Sequence, residues 1–379
     1  MTITFFSIHK SSFHKRQTMK VKSLFACALG TLMFALSACQ SGQPQPTAQR
    51  WTEERANAWY EQKPWMAGAD YINADAINQI EMWSKDTYNH DQIDHELTWA
   101  EDLGFTTLRV YLSSVVYEND PEGLKERMGD FLTICQNHGI TPLFCIFDDC
   151  WNAESSYGKQ PDPKPGVHNS GWVQDPSASL RADTAALYPK LEKYVKDLLT
   201  TFGNDERILL WDLWNEPGNS NHGVSTLPML KKVFQWAREV NPSQPLTCGV
   251  WNWGDSFAPL NAFQLENSDV ISYHNYNDRD DHAACIKYLK MFNRPLICTE
   301  YMARRNNSLF QTVMPLLKEN KVVAINWGFV SGKTNTIFAW DEPLPDQKEP
   351  KLWFHDIFRQ DGSVFCQEEV DTIKSLTGK

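Results

Sequence analysis

Two short apolar runs end in an acid. Arg207-Ile-Leu-Leu-Trp-Asp-Leu-Trp-Asn-Glu-Pro217 carries a strand-like stretch from Ile208 to Leu213 and delivers an amide, Asn215, and a carboxylic acid, Glu216, to its tip, where Pro217 forbids continuation. Arg294-Pro-Leu-Ile-Cys-Thr-Glu-Tyr301 repeats the arrangement with Glu300. Either acid alone has a structural explanation; Asn-Glu-Pro, for instance, could open a helix with an acid in its first turn. Two such acids, eighty-four residues apart and each at the tip of an apolar strand, point to chemistry. One carboxyl can hold a proton for a leaving group while the other attacks or activates water, and facing a glycosidic bond these are the minimum machinery for its hydrolysis.

Strand tips meet only if the chain between them builds parallel strands, and its pattern does alternate short apolar runs with longer amphipathic ones. The strands are expected at 64–71, 106–112, 141–147, 208–215, 246–251, 270–274, 295–300 and 322–329. Helical periods are expected at 91–103, 121–138, 187–202, 227–240, 283–291, 309–319 and 367–376. Eight βα units in one unbroken run predict a single (β/α)8 barrel, with its chemistry at the C-terminal ends of the strands. An insertion from Asp148 to Pro176, rich in Pro, Gly, Asn and Trp, follows the third strand, and loops of that length usually carry function.

In order and spacing after Trp51, the chain resembles glycoside hydrolase clan A, the retaining (β/α)8 glycosidases, and most closely their cellulase-like family five. Asn215-Glu216-Pro217 is the most specific motif; Arg109, His274-Asn-Tyr276, Glu300 and Trp327 match further. The resemblance implies Glu216 as acid/base and Glu300 as nucleophile. It also implies that Arg109 and Tyr276 hold Glu300 ionised, Asn215 bonds a sugar 2-OH, and Trp327 floors the subsite upstream of the scissile bond. Glu216 is expected to keep its proton through repulsion from Glu300 and partial burial. Asp149, Trp151 and Trp172 on the insertion, with Trp251, Trp253 and Trp340 elsewhere, are candidate substrate walls. The second residue of Asp148-Asp149 departs from the His or Asn common near that strand end, which leaves open β-glucan, β-mannan, xylan, or an exo-acting β-mannosidase or β-glucosidase activity. A barrel that only binds carbohydrate is the competing class.

No cofactor or metal is expected. Adjacent aspartates on a strand end point to opposite sides, so Asp148 and Asp149 make a poor ligand pair with His168 or His274, and no P-loop, dinucleotide or Gly-x-Ser-x-Gly motif is present. The net charge is −11, and since residues 1–39 carry five Lys or Arg and no acid, the remainder stands at −16. An acidic body argues against nucleic acid or an anionic membrane surface as partner. Fifteen Trp suit stacking on sugar rings as well as core packing, so the expected partner is a β-linked oligo- or polysaccharide bound by a monomer.

The first residues read as an address. Met19-Lys-Val-Lys22 is a positive start, Ser23 to Leu36 an apolar stretch too short to span a bilayer, and Leu36-Ser-Ala-Cys39 resembles a bacterial lipobox. Residues 1–39 are thus expected to be a signal peptide with lipidation at Cys39. The protein would be exported and held to a bacterial membrane by its lipid, residues 40–50 would be a tether rich in Gln and Pro, and 51–379 the catalytic barrel. Seven cysteines follow Cys39 with no C-x-x-C spacing, and few or no disulfides are expected.

Overall fold

The structure, a computed structural model, describes residues 49–379. The expected signal peptide, Cys39 and most of the tether lie outside the described residues. Arg50, expected in the tether, is docked on the barrel: its guanidinium donates to the Ser268 and Leu265 carbonyls at 2.7 and 2.6 Å.

Eight parallel strands form one sheet: β1 (Ala67–Asp70), β2 (Thr107–Tyr111), β3 (Leu143–Cys145), β4 (Trp211–Asp212), β5 (Leu246–Thr247), β6 (Ile271–His274), β7 (Leu296–Glu300) and β8 (Val323–Asn326). Their order, β5-β4-β3-β2-β1-β8-β7-β6, leaves β5 and β6 as the two ends. A bridge just past β5 joins them, with Val250 N–H donating to Ser272 O at 3.1 Å and His274 N–H to Val250 O at 2.9 Å. The ring is closed, and the fold is a (β/α)8 barrel.

Strand ladders are shorter than the apolar runs that produce them. The run at 208–215 is regular only over Trp211–Asp212, because a tilted barrel strand pairs with each neighbour for a few residues before its tip turns into a loop. The seven expected helices are present within a few residues, for example His90–Asp102 and Leu227–Val240. Four more helices, Glu53–Glu61, Gln79–Trp83, Ser114–Asn119 and Ala258–Asn267, were not expected from the sequence pattern.

Polarity divides the barrel interior. At the N-terminal end the side chains of Met66, Leu143, Leu209, Leu210, Val270, Ile297, Val323 and Ile325 form an apolar plug, and the helix Glu53–Glu61 lies against it through Trp59 and Tyr60. That helix caps the floor, tied by Tyr60 Oη donating to Lys321 O at 2.6 Å. The larger apolar layer lies between the strands and the surrounding helices. Toward the C-terminal end the interior becomes polar, with Asp70, Arg109, Asp212, Asn215 and Glu300 all buried. Burying that many polar groups is tolerable only if each finds partners, and here they mostly find one another.

Candidate active site

Arg109 organises this polar layer. Its guanidinium, wholly buried, donates to Asp70 Oδ1 at 2.9 Å, Asp212 Oδ2 at 2.9 Å, Asn215 Oδ1 at 2.8 Å and Glu300 Oε1 at 2.8 Å. A planar fork of donors suits such a multi-carboxylate junction as a lysine would not. Glu300, the last residue of β7, also accepts from Tyr111 Oη at 3.0 Å and Tyr276 Oη at 2.6 Å. Every one of these neighbours donates, the environment of a carboxylate anion.

Glu216 sits four residues beyond β4 with φ +44°, a left-handed backbone rare for a side chain of its size. Such strain persists only where surroundings hold it, and they do. Asn219 N–H donates to Glu216 O at 2.9 Å, and the buried Asp149 carboxylate accepts from Gly218 N at 2.7 Å, Thr226 Oγ1 at 2.7 Å and Arg181 Nη2 at 2.5 Å. This corrects the expectation that Asp149 is a substrate wall. It is fully buried, does not line the cleft, and braces the turn that carries Glu216.

The carboxyl of Glu216 is unlike that of Glu300. It accepts from the Cys150 thiol at 3.3 Å and from Asn219 Nδ2, and faces His274 Nδ1 at 2.8 Å. Burial pushes it above the usual carboxylate range, against the pull of Cys150, Asn219 and Arg109. The expectation that Glu300 repulsion leads this shift is corrected: burial leads it, and the contributing like charge is that of Asp149.

His274 lies between the two acids because the β6–β7 register shifts between Tyr273 and His274, setting His274 opposite Glu300. Its Nδ1 is 3.3 Å from Glu300 Oε2. Burial holds the ring down to about 4, so at neutral pH it hydrogen-bonds within the pair without adding charge. Oxygens of Glu216 and Glu300 and a His274 nitrogen all lie within 4.8 Å of one another. Retention of configuration goes with carboxyl groups about 5 to 5.5 Å apart and inversion with about 6.5 to 9.5 Å, so this pair falls on the retaining side. The same three donors could surround a cation, but the oxygens of Glu300 already accept from Arg109, Tyr111 and Tyr276.

The pair opens into a cleft of about 750 Å³, within the usual range for ligand sites. Asn215, Tyr276, Trp151, Trp172 and Trp327 line it with the two glutamates, while Arg109 and His274 act on those glutamates from beneath. Asn215 Nδ2 is engaged by Asp148 Oδ1 at 2.9 Å. Trp172 is nearly buried, donating to Asp148 Oδ2 at 2.7 Å and standing edge-on to Tyr111 and Trp327. Trp251 and Trp340 also line the cleft; Trp253 does not. Cys150, Asn219, Tyr111, Asp70 and Asp212 were missed from sequence.

The model of the cellulase family, glycosyl hydrolase family 5, matches residues 65–332, most of the chain and the whole strand ring. The chain belongs to glycosyl hydrolase family 5. No curated protein matches it. Solved structures share its fold at low identity. An exo-β-1,4-mannosidase from Opitutaceae bacterium strain TAV5 is 18% identical with a TM-score of 0.57, over 83% of this chain and 60% of that one. An endo-β-1,4-mannanase from Thermotoga petrophila is 14% identical, TM-score 0.55, over 83% and 76%, and a broad-specificity endoglucanase from Clostridium longisporum 10%, TM-score 0.55, over 85% and 98%. This family 5 chain thus spans about 60% of the length of the first of these. Among the described residues no helix is long and apolar enough to cross a membrane.

Proposed function

We propose that this family 5 protein hydrolyses β-linked glycans with retention of configuration, Glu216 serving as acid/base and Glu300 as nucleophile. The observation that carries the reading is the pair itself: two carboxyls with oxygens within 4.8 Å, one pushed toward its protonated form by burial and the other ringed by donors. In the first step Glu216 donates its proton to the leaving oxygen as a Glu300 oxygen forms an ester bond to the anomeric carbon. In the second, Glu216, now a carboxylate, takes a proton from water as that water attacks the same carbon and Glu300 leaves. Tyr276 and Arg109 hold Glu300 in line, and Trp327 offers an aromatic face beneath the sugar. Export and lipid anchoring through Cys39, and action as a monomer, belong to the same proposal and rest on the leader sequence and the acidic body.

Alanine at each glutamate tests the roles on an aryl β-glycoside. Glu216→Ala and Glu300→Ala are each expected to lower kcat by about 10² to 10⁴. Azide then rescues Glu216→Ala with a β-glycosyl azide as product, and Glu300→Ala with the α-azide. Wild-type turnover in either variant overturns the assignment.

A further inference from the structure

The loops after β1, β3 and β8 are fused into one wall. Between the β3 and β8 loops, Asn169 N donates to Thr334 O at 2.7 Å, Leu344 N to Gly166 O at 3.0 Å and His168 Nδ1 to Phe338 O at 2.8 Å. The β1 loop joins both: Lys333 N donates to Ala74 O at 2.9 Å, and Asn78 Nδ2 to Gly171 O at 2.8 Å. Each of the three junctions contains a glycine whose side chain would collide. A Cβ on Gly166 would stand 2.0 Å from Leu344 O, on Gly332 2.3 Å from Ala74 O, and on Gly171 2.3 Å from Ile77 Cδ1. Contacts this close leave no gap for a sugar chain to thread.

The wall stands over β8, β1, β2 and β3, which are consecutive in the ring. That is the side of Trp327 and Tyr111; with the roles proposed above, the sugar attacked by Glu300 would rest there and the leaving group by Glu216, toward Asn219, Asn221 and Trp251, which line the other part of the cleft. On its inner face the wall is aromatic and reaches the nucleophile. Ring centroids step from Trp151 to His168 at 5.2 Å, His168 to Trp340 at 6.4 Å and Trp340 to Tyr276 at 5.1 Å, and Tyr276 Oη donates to Glu300. Among the described residues, the carboxyl groups lining the cleft are those of Glu216 and Glu300, and no Lys or Arg lines it.

Building on the retaining glycosidase reading, we propose that the cleft is closed one sugar beyond the scissile bond and that the protein removes single neutral sugars from the non-reducing end of β-linked glycans. An internal bond cannot reach the glutamates because the chain on the glycone side would have to pass through the fused loops. A uronic acid at that end meets the Glu300 carboxylate, whose partner Arg109 lies buried beneath it, and no Lys or Arg lines the cleft to pair with the added charge.

The test uses the purified full chain and β-1,4-linked manno- and gluco-oligosaccharides of two to six sugars, labelled at the reducing end. The expected result is a ladder of labelled products, each one sugar shorter, with a monosaccharide as the sole unlabelled product. Polysaccharide viscosity stays nearly constant, and uronate-terminated analogues react more than about tenfold more slowly. Labelled products two or more sugars shorter in the initial phase, with unlabelled oligosaccharide released, overturn the end-cutting proposal while leaving the glycosidase reading intact. No hydrolysis of any member by the wild type overturns both.

Discussion

Cys150 places a weak donor where most side chains of its size would place a strong one or none. Its thiol donates to Glu216 Oε2 at 3.3 Å and receives Asn215 Nδ2 and Asn219 Nδ2 at 3.4 and 3.3 Å, so it links the acid to the amide beside it. That bond is the leading pull toward the carboxylate, and burial outweighs it, so the Glu216 carboxyl stays above its ordinary range. Cys150→Ala removes that donor and is expected to move the alkaline limb of the kcat/KM profile to higher pH. The sign follows from the role: activity falls as pH rises through the Glu216 titration, and losing a bond to the anion shifts that titration upward. A limb that moves toward lower pH would contradict this account of Cys150. Nothing in the local sequence marks Cys150 or Asn219, since their partners arrive from other strands. Asp70 and Asp212 did leave a trace, because a charged residue inside or at the end of an apolar strand must answer another charge, as Arg109 does.

At the scale of elements, the loop after β4 shows how a scaffold holds a strained catalytic residue. Asp149 ends the turn's freedom by accepting from Gly218, Thr226 and Arg181. Asp149→Ala leaves the Arg181 guanidinium, only 12% exposed, with no counter-charge and Pro176 O as its remaining hydrogen-bond acceptor, and takes the acceptor from Gly218 N and Thr226 Oγ1. A loss of about 3 kcal/mol in urea unfolding is expected, together with a fall in kcat as Glu216 loses its fixed backbone. Unchanged unfolding and unchanged kcat would show that the brace is dispensable. The strands were legible because apolar β runs bounded by helices have few other solutions, and the acids at their tips were legible with them. The helix Ala258–Asn267 was not, because two positions of its buried face are Asn261 and Gln264, which hide their polarity by donating to Asn252 O and Gly249 O. The opposite roles of Asp148 and Asp149 were equally hidden. One faces Trp172 and Asn215 at the cleft while the other turns under the β4 loop, and only the fold shows which is which.

Across the whole molecule, buried titratable groups oppose one another. Burial raises Asp148 and Glu96 to about 7 and Asp175 and Asp356 to about 6, so the native state holds protons that the unfolded chain releases above about 4. These groups cost stability as pH rises. Burial also lowers His168, His274 and His282 to about 4, so the unfolded chain alone binds protons below about 6.5, and these groups restore stability as pH rises. The two sets offset each other between about 4 and 6.5, and above that the carboxyls near 7 still titrate, while His90 and His138, raised in the folded state, add a loss of the same sign. Thermal unfolding is therefore expected to show a plateau in Tm up to about pH 6.5 and a decline above it, part of which Asp148→Asn removes; a Tm that climbs from pH 6.5 to 8 would contradict this balance. The acid–base pair at the centre is the same physics put to use, one carboxyl pushed toward its protonated form by burial beside one ringed by donors. The most direct test of that pair is the anomeric configuration of the first product, read by NMR within the first minutes of hydrolysing a β-glycoside. The account predicts the β-anomer, with the α-form growing only as the sugar mutarotates, and initial release of the α-anomer would contradict it.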